Sequence, residues 1–156
     1  MPNRSLFLKT LNLEIDKAKE TNNKIALMFI DLDRFKWIND NLGHVAGDHL
    51  LVEVAGRLKT CVTSGIVARL GGDEFTVAIS QMTCMPDIIK LAKDIIEQLN
   101  QSFLLEGQKI YISGSIGIAI FPDDGNHLES LLKCADAAMY RSKAAGKNAY
   151  HFFSGK

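Results

Sequence analysis

The sequence predicts a mixed β-sheet covered by α-helices. First, helical and strand-like apolar periodicities alternate along the chain without internal repeats. Second, residues 25–30 read IALMFI and are apolar on both faces, as expected for a covered central strand. Third, Gly71 and Gly72 join two strand-like stretches as a β-hairpin, because glycine adopts positive φ without steric cost. Strands connected both by helices and by a hairpin form a mixed sheet with helices packed on it.

The first half of the chain contains two predicted helices and three predicted strands, including residues 75–79 after the hairpin. The first helix covers residues 5–20, and its apolar stripe is Leu6, Phe7, Leu11 and Ile15. The strand over 25–30 follows and ends at residues 31–33. A second helix runs from about 45 to 62, and its apolar residues are Leu50, Leu51, Val54, Ala55 and Leu58. A short strand over 66–70 leads into the glycine pair.

The second half continues the alternation. A helix starts at Pro86, which suits a first turn, and its apolar residues are Ile88, Ala92, Ile95 and Leu99. A strand over 110–121 and a Pro-Asp-Asp-Gly turn lead to a helix that ends near Gly146. The apolar residues of that helix are Leu128, Leu131, Leu132, Ala135 and Met139. A last short strand is predicted over 150–153.

Composition limits the kinds of partner. The 156 residues are 47% hydrophobic, which suits one domain with a single core. Lys plus Arg equals Asp plus Glu at 18 each, so no overall charge favours nucleic acid or an anionic membrane. No stretch reaches the ~18 apolar residues of a membrane span. Cys61, Cys84 and Cys134 are widely spaced, which predicts buried free thiols in a reducing cytoplasm without a disulfide framework or a zinc site.

Carboxylates are predicted to meet at one edge of the sheet. Asp31 ends the central strand, and Asp73 and Glu74 are expected to be displayed at the hairpin tip. Mg²⁺ prefers a few carboxylates together with substrate phosphates, and two or three acids suit that preference. The alternative is that Asp31 and Asp33 only end a strand, while Asp73 and Glu74 are solvated in a turn.

The segment after the central strand contains residue types that suit guanine. The Watson–Crick edge of guanine offers two donors and one acceptor, which an Asp carboxylate and an Asn amide can satisfy together. Asn39 and Asp48 are the candidates, and Lys36 lies one turn beyond the acidic strand end. Alternatively, Asp48 is the N-cap of the following helix, and Asn39 is a polar residue at a helix C-terminus.

Four segments of the chain stand out as motifs: DLDRFKWINDNLGHVAGDHLL, RLGGDEF, SIGIAIFPDDG and ADAAMYRSKAAGKN, preceded by PNR. They occur in the order and spacing of the motifs of the GGDEF-domain diguanylate cyclases, so the chain resembles this family over nearly its whole length. The resemblance implies one α+β domain over 1–156, a ferredoxin-like nucleotidyl-cyclase palm with a five-stranded mixed sheet wrapped by helices. It also implies that two GTP-loaded domains form a transient homodimer, in which each 3′-hydroxyl attacks the α-phosphate of the opposite GTP to give cyclic di-GMP and pyrophosphate.

The resemblance assigns roles at the carboxylate edge. Asp31 and Asp73 would ligate Mg²⁺, or Mn²⁺ in its place, with the Leu32 carbonyl as a further ligand and Glu74 assisting. Asp73 would also accept the proton of the 3′-hydroxyl. Lys36 would offset the negative charge that develops on the phosphates.

Other residues would bind the substrate. By the same resemblance, Asn39 and Asp48 would read guanine, His44 would line the pocket, and Gly72 would let the backbone approach the phosphates.

Lys143 and Lys147 would bind the outer phosphates. Their alternative is a solvated helix end, where cations favour the helix dipole. The family commonly has Arg at the position of Lys147, and Lys cannot make the planar two-point contact of Arg, so weaker GTP binding is expected.

The resemblance also concerns the parent protein. The C-terminal KNAYHFFSGK resembles the junction to an EAL-type phosphodiesterase domain, and the abrupt start suggests a domain excised from a longer protein with an N-terminal sensory domain. The domain itself is expected to make no membrane contact, although the parent can be membrane-anchored. Two other functions stay open: a catalytically weak GTP-binding domain that regulates the phosphodiesterase, and a structural partner domain. The chain has no coiled-coil heptads, which predicts a mostly monomeric fragment.

One regulatory motif of many family members is absent from the sequence. Their Arg-x-x-Asp inhibitory site, which grips product cyclic di-GMP, would fall on residues 62–65, where this chain has Val-Thr-Ser-Gly. We therefore expect no strong product inhibition.

Overall fold

The structure, a computed structural model, describes residues 4–82 and 84–154. The first elements are α1 (Arg4–Thr21), β1 (Lys24–Asp33), α2 (Phe35–Leu42), α3 (His44–Cys61), β2 (Ile66–Gly71) and β3 (Glu74–Met82). They are followed by α4 (Met85–Asn100), β4 (Phe103–Leu105), β5 (Gln108–Ile110), β6 (Ser113–Phe121), α5 (Leu128–Ala144) and β7 (Ala149–Phe152). Among the described residues, none of the helices has the length and apolar character needed to cross a membrane.

Five strands form one sheet in the order β2-β3-β1-β6-β7, and β4 and β5 form a separate small hairpin. The central strand β1 pairs antiparallel with β3 and β6, whereas β6 and β7 are parallel. Asp31 therefore has Glu74 as its neighbour on one side and Ser115 on the other. The predicted five-stranded mixed sheet is confirmed.

Each face of the sheet is covered by a different group of helices. Alternate side chains of a strand point to opposite faces. Met28 and Ile30 on β1 join the core formed with α2, α3 and α4, whereas Leu27 and Phe29 join the core formed with α1 and α5. Because both faces are buried, β1 is apolar without alternation, which explains the IALMFI stretch.

Helix α5 packs directly on β6 at Gly117. A Cβ atom at this position would lie 2.0 Å from the carbonyl oxygen of Ala135 and 2.1 Å from the amide nitrogen of Met139. Glycine allows this close approach because it has no side chain. The contact fixes the distance of α5 from the sheet, and α5 carries Lys143 in its last turn.

Several local predictions were wrong. The strand over 110–121 is interrupted at residues 111–112, because the preceding residues fold into the β4–β5 hairpin around a turn in which Glu106 and Gly107 have positive φ. Leu6 on α1 is 53% exposed, although the other three residues of its predicted stripe are buried. The three cysteines are free thiols as predicted, but Cys84 is exposed instead of buried, and the other two are only partly buried.

Candidate functional site

The β2–β3 hairpin places its acids beside the end of β1. Gly72 adopts φ +48°, and no atom lies within 4 Å of the place its Cβ would take, so a ligand can approach the backbone there. Arg69 donates from Nη1 to the carbonyl oxygen of Gly72 at 2.7 Å. On β1, the N–H of Leu32 donates to the carbonyl oxygen of Asp73 at 3.2 Å. The first contact stabilises the hairpin tip itself, and the second joins the tip to the central strand.

Asp31, Asp73 and Glu74 come together as predicted, but Asp73 and Glu74 are partly buried instead of displayed. Burial raises the pKa of Asp73 to about 6, and a hydrogen bond with Asp31 and the charge of Asp31 add to the shift. Burial also raises the pKa of Glu74, with the charges of Asp31 and Asp136 adding to it. Asp136 on α5, which the sequence analysis did not select, has its pKa raised by burial and by Asp31. Four acids thus share this edge of the sheet.

Lys143 balances part of this negative charge. Its Nζ lies 2.9 Å from Oδ2 of Asp31 and 3.8 Å from Oδ1 of Asp33. Burial lowers the pKa of Lys143, but the hydrogen bond and charge of Asp31 and the charges of Asp33 and Asp73 outweigh burial and raise the pKa. The side chain is only 26% exposed. The alternative of a solvated helix end is therefore wrong for Lys143.

The donor atoms at this edge suit a hard divalent cation. The Asp31 side chain is 14% exposed, and among the described residues no donor reaches its buried Oδ1. A hydrogen bond between Asp31 and Asp73 requires a proton on one of them, since two ionised carboxylates only accept. When both are ionised they repel each other, and a cation between them would relieve the repulsion.

The site is not a complete metal cage formed by protein side chains. Within residues 4–82 and 84–154, no group of three or more His, Cys, Asp or Glu side chains is arranged to hold a metal ion. Mg²⁺ is commonly bound by one or two carboxylates plus substrate phosphates, so the Asp31–Asp73 pair fits an ion that arrives with a nucleotide.

The corner between α2 and α3 positions Asn39. Gly43 follows the last residue of α2 and adopts φ +90°, a conformation that suits glycine, and α3 begins at the next residue. The Asn39 side chain lies over Gly47, where an added Cβ would be 1.8 Å from Asn39 Oδ1. Gly47 therefore leaves the space that the Asn39 amide occupies. Asn39 lies near the C-terminal end of α2. This position agrees both with a guanine-reading residue and with a polar residue at a helix C-terminus.

Asp48 is not an N-cap, because α3 begins four residues earlier at His44. Its side chain is exposed on α3 and lines a surface cavity of about 520 Å³ together with Leu51 and Arg69. That volume is within the range of small-molecule sites. Asn39 and Asp48 therefore lie at the same helical corner, and Asp48 lines the cavity.

Three further predicted residues are exposed. Lys36 is in the first turn of α2, His44 is the first residue of α3, and Lys147 follows α5 in a turn with φ +67°. In the part of the chain that the structure describes, no hydrogen bond or ion pair connects these side chains to the carboxylates. Their roles stay predictions.

Sequence reasoning interpreted Asp33 only as a possible strand end, yet it is buried in the site. Its carboxylate accepts hydrogen bonds from the hydroxyls of Ser113 at 2.5 Å and Ser115 at 2.8 Å. Residues two apart on a strand share a face, so Asp33 points to the same side as Asp31. That spacing is the signal that could have found it.

Comparisons with known proteins identify the family. The family profile "Diguanylate cyclase, GGDEF domain" matches residues 1–149. The chain is 41% identical over 154 residues to the bifunctional diguanylate cyclase/cyclic di-GMP phosphodiesterase MucR of Pseudomonas aeruginosa, covering 98% of this chain and 22% of MucR. It is also 41% identical over 145 residues to the diguanylate cyclase TpbB of Pseudomonas aeruginosa, covering 92% of this chain and 33% of TpbB. The chain thus spans a third or less of these relatives.

Similar solved structures also contain GGDEF domains. The crystal structure of the TpbB GGDEF domain has a TM-score of 0.94 and 38% identity, covering 97% of this chain and 96% of that one. An EAL/GGDEF domain protein from M. capsulatus has a TM-score of 0.83 and 44% identity, covering 97% and 99%. The fold is the nucleotidyl-cyclase palm that the sequence predicts. The chain belongs to the diguanylate cyclase GGDEF-domain family.

Proposed function

We propose that this domain is a diguanylate cyclase, which condenses two GTP molecules into cyclic di-GMP and releases two pyrophosphates. The observation that carries the proposal is the Asp31–Asp73 pair, held side by side at the sheet edge next to Lys143. Two carboxylates beside an ammonium group suit a triphosphate and its metal ion. TpbB, which is 41% identical to this chain, is itself named a diguanylate cyclase.

The carboxylate edge would perform the chemistry. Asp31, Asp73, Glu74 and the Leu32 carbonyl would hold Mg²⁺ or Mn²⁺, which when bound stabilises charge on the attacking and leaving oxygens. Asp73 would accept the proton of the 3′-hydroxyl, and its raised pKa makes it a better base than an ordinary carboxylate. In each half-reaction the 3′-oxygen bonds to the α-phosphorus of the other GTP. The bond from that phosphorus to the pyrophosphate oxygen breaks.

Cationic and backbone groups would hold the phosphates. The ion pair with Asp31 already holds Lys143 in the site, and Lys147 comes shortly after it, beyond the end of α5. Both lysines would neutralise the outer phosphates. The open space at Gly72 allows the phosphates to approach the backbone. Lys36, one turn beyond the end of β1, would offset the charge that develops in the transition state.

The α2–α3 corner would select the base. The Asn39 amide and the Asp48 carboxylate can satisfy the acceptor and the donors of guanine together, and adenine does not match this set. His44, at the start of α3, would line the same pocket. GTP is therefore the proposed substrate.

Each domain would hold one GTP, so catalysis requires a transient homodimer with two domains face to face. We further propose that the domain works in the cytoplasm as part of a longer protein, with a sensory domain before it and an EAL-type domain after it. MucR, of which this chain covers 22%, is named as a bifunctional diguanylate cyclase/cyclic di-GMP phosphodiesterase, which supports a phosphodiesterase domain in the same polypeptide.

A second candidate function is a GTP-binding regulatory domain. NbdA of Pseudomonas aeruginosa, 36% identical, and PdeR of Escherichia coli, 34% identical, are both named cyclic di-GMP phosphodiesterases. The intact carboxylate pair favours catalysis over this alternative, because a domain that only binds GTP could lose Asp73 or Glu74 and still keep the base pocket.

The deciding experiment incubates the purified domain at high concentration with GTP and Mg²⁺ or Mn²⁺, and separates the nucleotides by chromatography. The wild-type domain should yield cyclic di-GMP. Asp73→Asn should abolish the product while only weakening GTP binding, because the lost charge acts mainly in the transition state. Glu74→Gln should be milder. GTP binding without product under every condition would instead support the regulatory function.

A further inference from the structure

Asp33 is a buried carboxylate that connects three separate elements. Its side chain is 1% exposed. It accepts hydrogen bonds from the hydroxyls of Ser113 and Ser115, at the start of β6. It also accepts the backbone N–H of Asn148, in the turn between α5 and β7, at 3.2 Å to Oδ2.

This set of donors is unlike that of a residue that only ends a strand. A buried carboxylate is strongly destabilising unless hydrogen bonds and a countercharge replace its lost hydration. Here three donors supply the hydrogen bonds, and the Lys143 ammonium lies 3.8 Å from Oδ1. Removal of the charge from Asp33 would therefore loosen the turn and leave the Lys143 ammonium held, among the described residues, by Asp31 alone, at 2.9 Å.

The turn that Asp33 holds contains the second lysine of the site. Lys147 and Asn148 adopt φ of 67° and 51°, a conformation that side chains other than glycine rarely take. Such a conformation persists when surrounding contacts determine it. The Asn148 N–H bond to Asp33 and the Lys147 N–H bond to the Ser142 carbonyl, at 3.0 Å, are those contacts.

We propose that Asp33 is a positioning residue, which fixes Lys143 and Lys147 where they can receive the outer phosphates of a nucleoside triphosphate. The proposal rests on the function proposed above. Asp33 does not touch the nucleotide in this arrangement and acts only through the two lysines. Its effect should therefore be specific to the β- and γ-phosphates and absent for the base and the α-phosphate.

The test compares two guanine nucleotides that differ in their outer phosphates. Asp33→Asn keeps the side-chain volume but replaces one acceptor oxygen by a donor and removes the charge. Affinity for the α,β-methylene analogue of GTP, which cannot release pyrophosphate, should fall about 10-fold, as expected for the loss of one charge-assisted contact. Affinity for GMP, measured by competition, should change less than about twofold. Equal losses for both nucleotides would overturn the proposal.

A matched control lies at the other end of β6. Asp124 also accepts a backbone N–H, that of Ile120 at 2.7 Å, and the hydroxyl of Ser154. Asp124→Asn should reduce thermal stability without changing the ratio of the two affinities. If Asp124→Asn changed this ratio as much as Asp33→Asn does, Asp33 would have only a general structural role.

A second comparison isolates the lysines. In a Lys143→Met/Lys147→Met background, Asp33→Asn should cause no further loss of affinity for the analogue, because the groups it positions are gone. A persistent loss would overturn the proposal. If Asp33→Asn does not fold, Ser113→Ala removes one donor and should give a smaller, about threefold, loss for the analogue alone; no loss would count against the proposal.

The two levels of inference can fail separately. A wild-type domain that binds the analogue but forms no cyclic di-GMP from GTP would refute the proposed cyclase activity, while the affinity ratios would still decide the role of Asp33. A wild-type domain that binds neither nucleotide would refute both.

Discussion

Asp73 is partly buried, yet its proposed role requires an ionised carboxylate. Its carboxyl group is partly buried, and burial and the neighbouring Asp31 both raise its pKa. For an acid, a raised pKa in the folded state means that ionisation destabilises the fold. The ionised carboxylate that would bind the proposed cation therefore lowers the stability of the fold, as is common at functional sites.

Asp73→Asn is expected to stabilise the fold at neutral pH. The folded-state pKa of about 6 exceeds the ordinary 3.8, so Asp73 makes the wild-type domain less stable as pH rises from about 4 to about 6. The Asn variant does not ionise at this position, so its stability does not fall over this pH range for this reason. After allowance for solvent screening of a partly exposed group, the gain is on the order of 1 kcal/mol, or about 2–4 °C in Tm. Thermal unfolding with a chelator should show the gap above pH ~6 and little gap near pH ~4; a pH-independent gap would contradict the expectation.

Asp48→Ala is expected to weaken GTP binding and to relax discrimination against ATP. A polar pocket rejects a ligand that leaves its groups unpaired by factors on the order of 10⁴, and removal of the carboxylate should lose much of that factor. Titration calorimetry with GTP and with ATP measures the ratio of the two affinities. Unchanged GTP affinity would remove Asp48 from the binding site.

The site residues differ in how well the sequence predicts them. Asp31, Asp73 and Glu74 are predictable because strand ends and a hairpin tip are local patterns. The connections of Asp33 are not, since its hydrogen-bond donors Ser113 and Asn148 lie 80 and 115 positions later. Only the tertiary fold brings these groups together, and the same holds for Asp136 on α5.

At the scale of elements, the α2–α3 corner shows how two helices prepare one side chain. Gly43 turns the chain, and Gly47 provides the space for Asn39. The sequence predicted the helix over 45–62 from its apolar periodicity, which α3 confirms within one residue. It did not predict the β4–β5 hairpin, because three-residue strands contain too few residues to show a period.

Gly47→Ala is expected to displace the Asn39 side chain without unfolding the domain. Alanine is favoured over glycine in a helix by about 1 kcal/mol, which offsets much of the strain of moving a flexible side chain. Tm should therefore change little, while GTP affinity should fall about 10-fold through the lost amide contact.

A double-mutant cycle checks this mechanism. Asn39→Ala should reproduce the loss of affinity, and Gly47→Ala should add nothing to it in the double variant. Additive losses would mean that Gly47 acts through some other contact.

At the scale of the whole molecule, the residues of the proposed active site lie together at one edge of the sheet. Asp31 from β1, Asp73 from the hairpin and Lys143 from α5 all lie at that edge. In the proposed reaction, a second domain would face this edge, so that each 3′-hydroxyl reaches the α-phosphate of the opposite GTP.

Specific activity is expected to rise with enzyme concentration. When most of the protein is monomeric, the dimer fraction falls in proportion to concentration, so tenfold dilution should lower specific activity about tenfold. Fusion to a leucine zipper should raise activity on the order of 10²-fold by increasing the effective concentration. Constant specific activity over a wide dilution series would contradict a transient dimer.

Product inhibition is expected to be weak. Val62 is buried, residues 63–65 are exposed, and the adjoining cavity of about 330 Å³ includes Asp87 and Asp94. Acidic side chains disfavour the phosphates of cyclic di-GMP, and Lys90 is already paired with Asp94 at 3.2 Å. Titration calorimetry with cyclic di-GMP measures the affinity. A submicromolar dissociation constant that survives Asp48→Ala would contradict this expectation.

The central position of β1 has a consequence for biosynthesis. Within this domain β1 is made before both of its partner strands: β3 and β6 follow later in the chain, and α5 later still. A nascent chain therefore exposes the IALMFI strand on both edges until its neighbours leave the ribosome, a state prone to aggregation. Such distant pairing is also slow to form. The growing polypeptide should need chaperone protection between the synthesis of β1 and that of β6, and a chain truncated before α5 would lack Lys143 and could not complete the site.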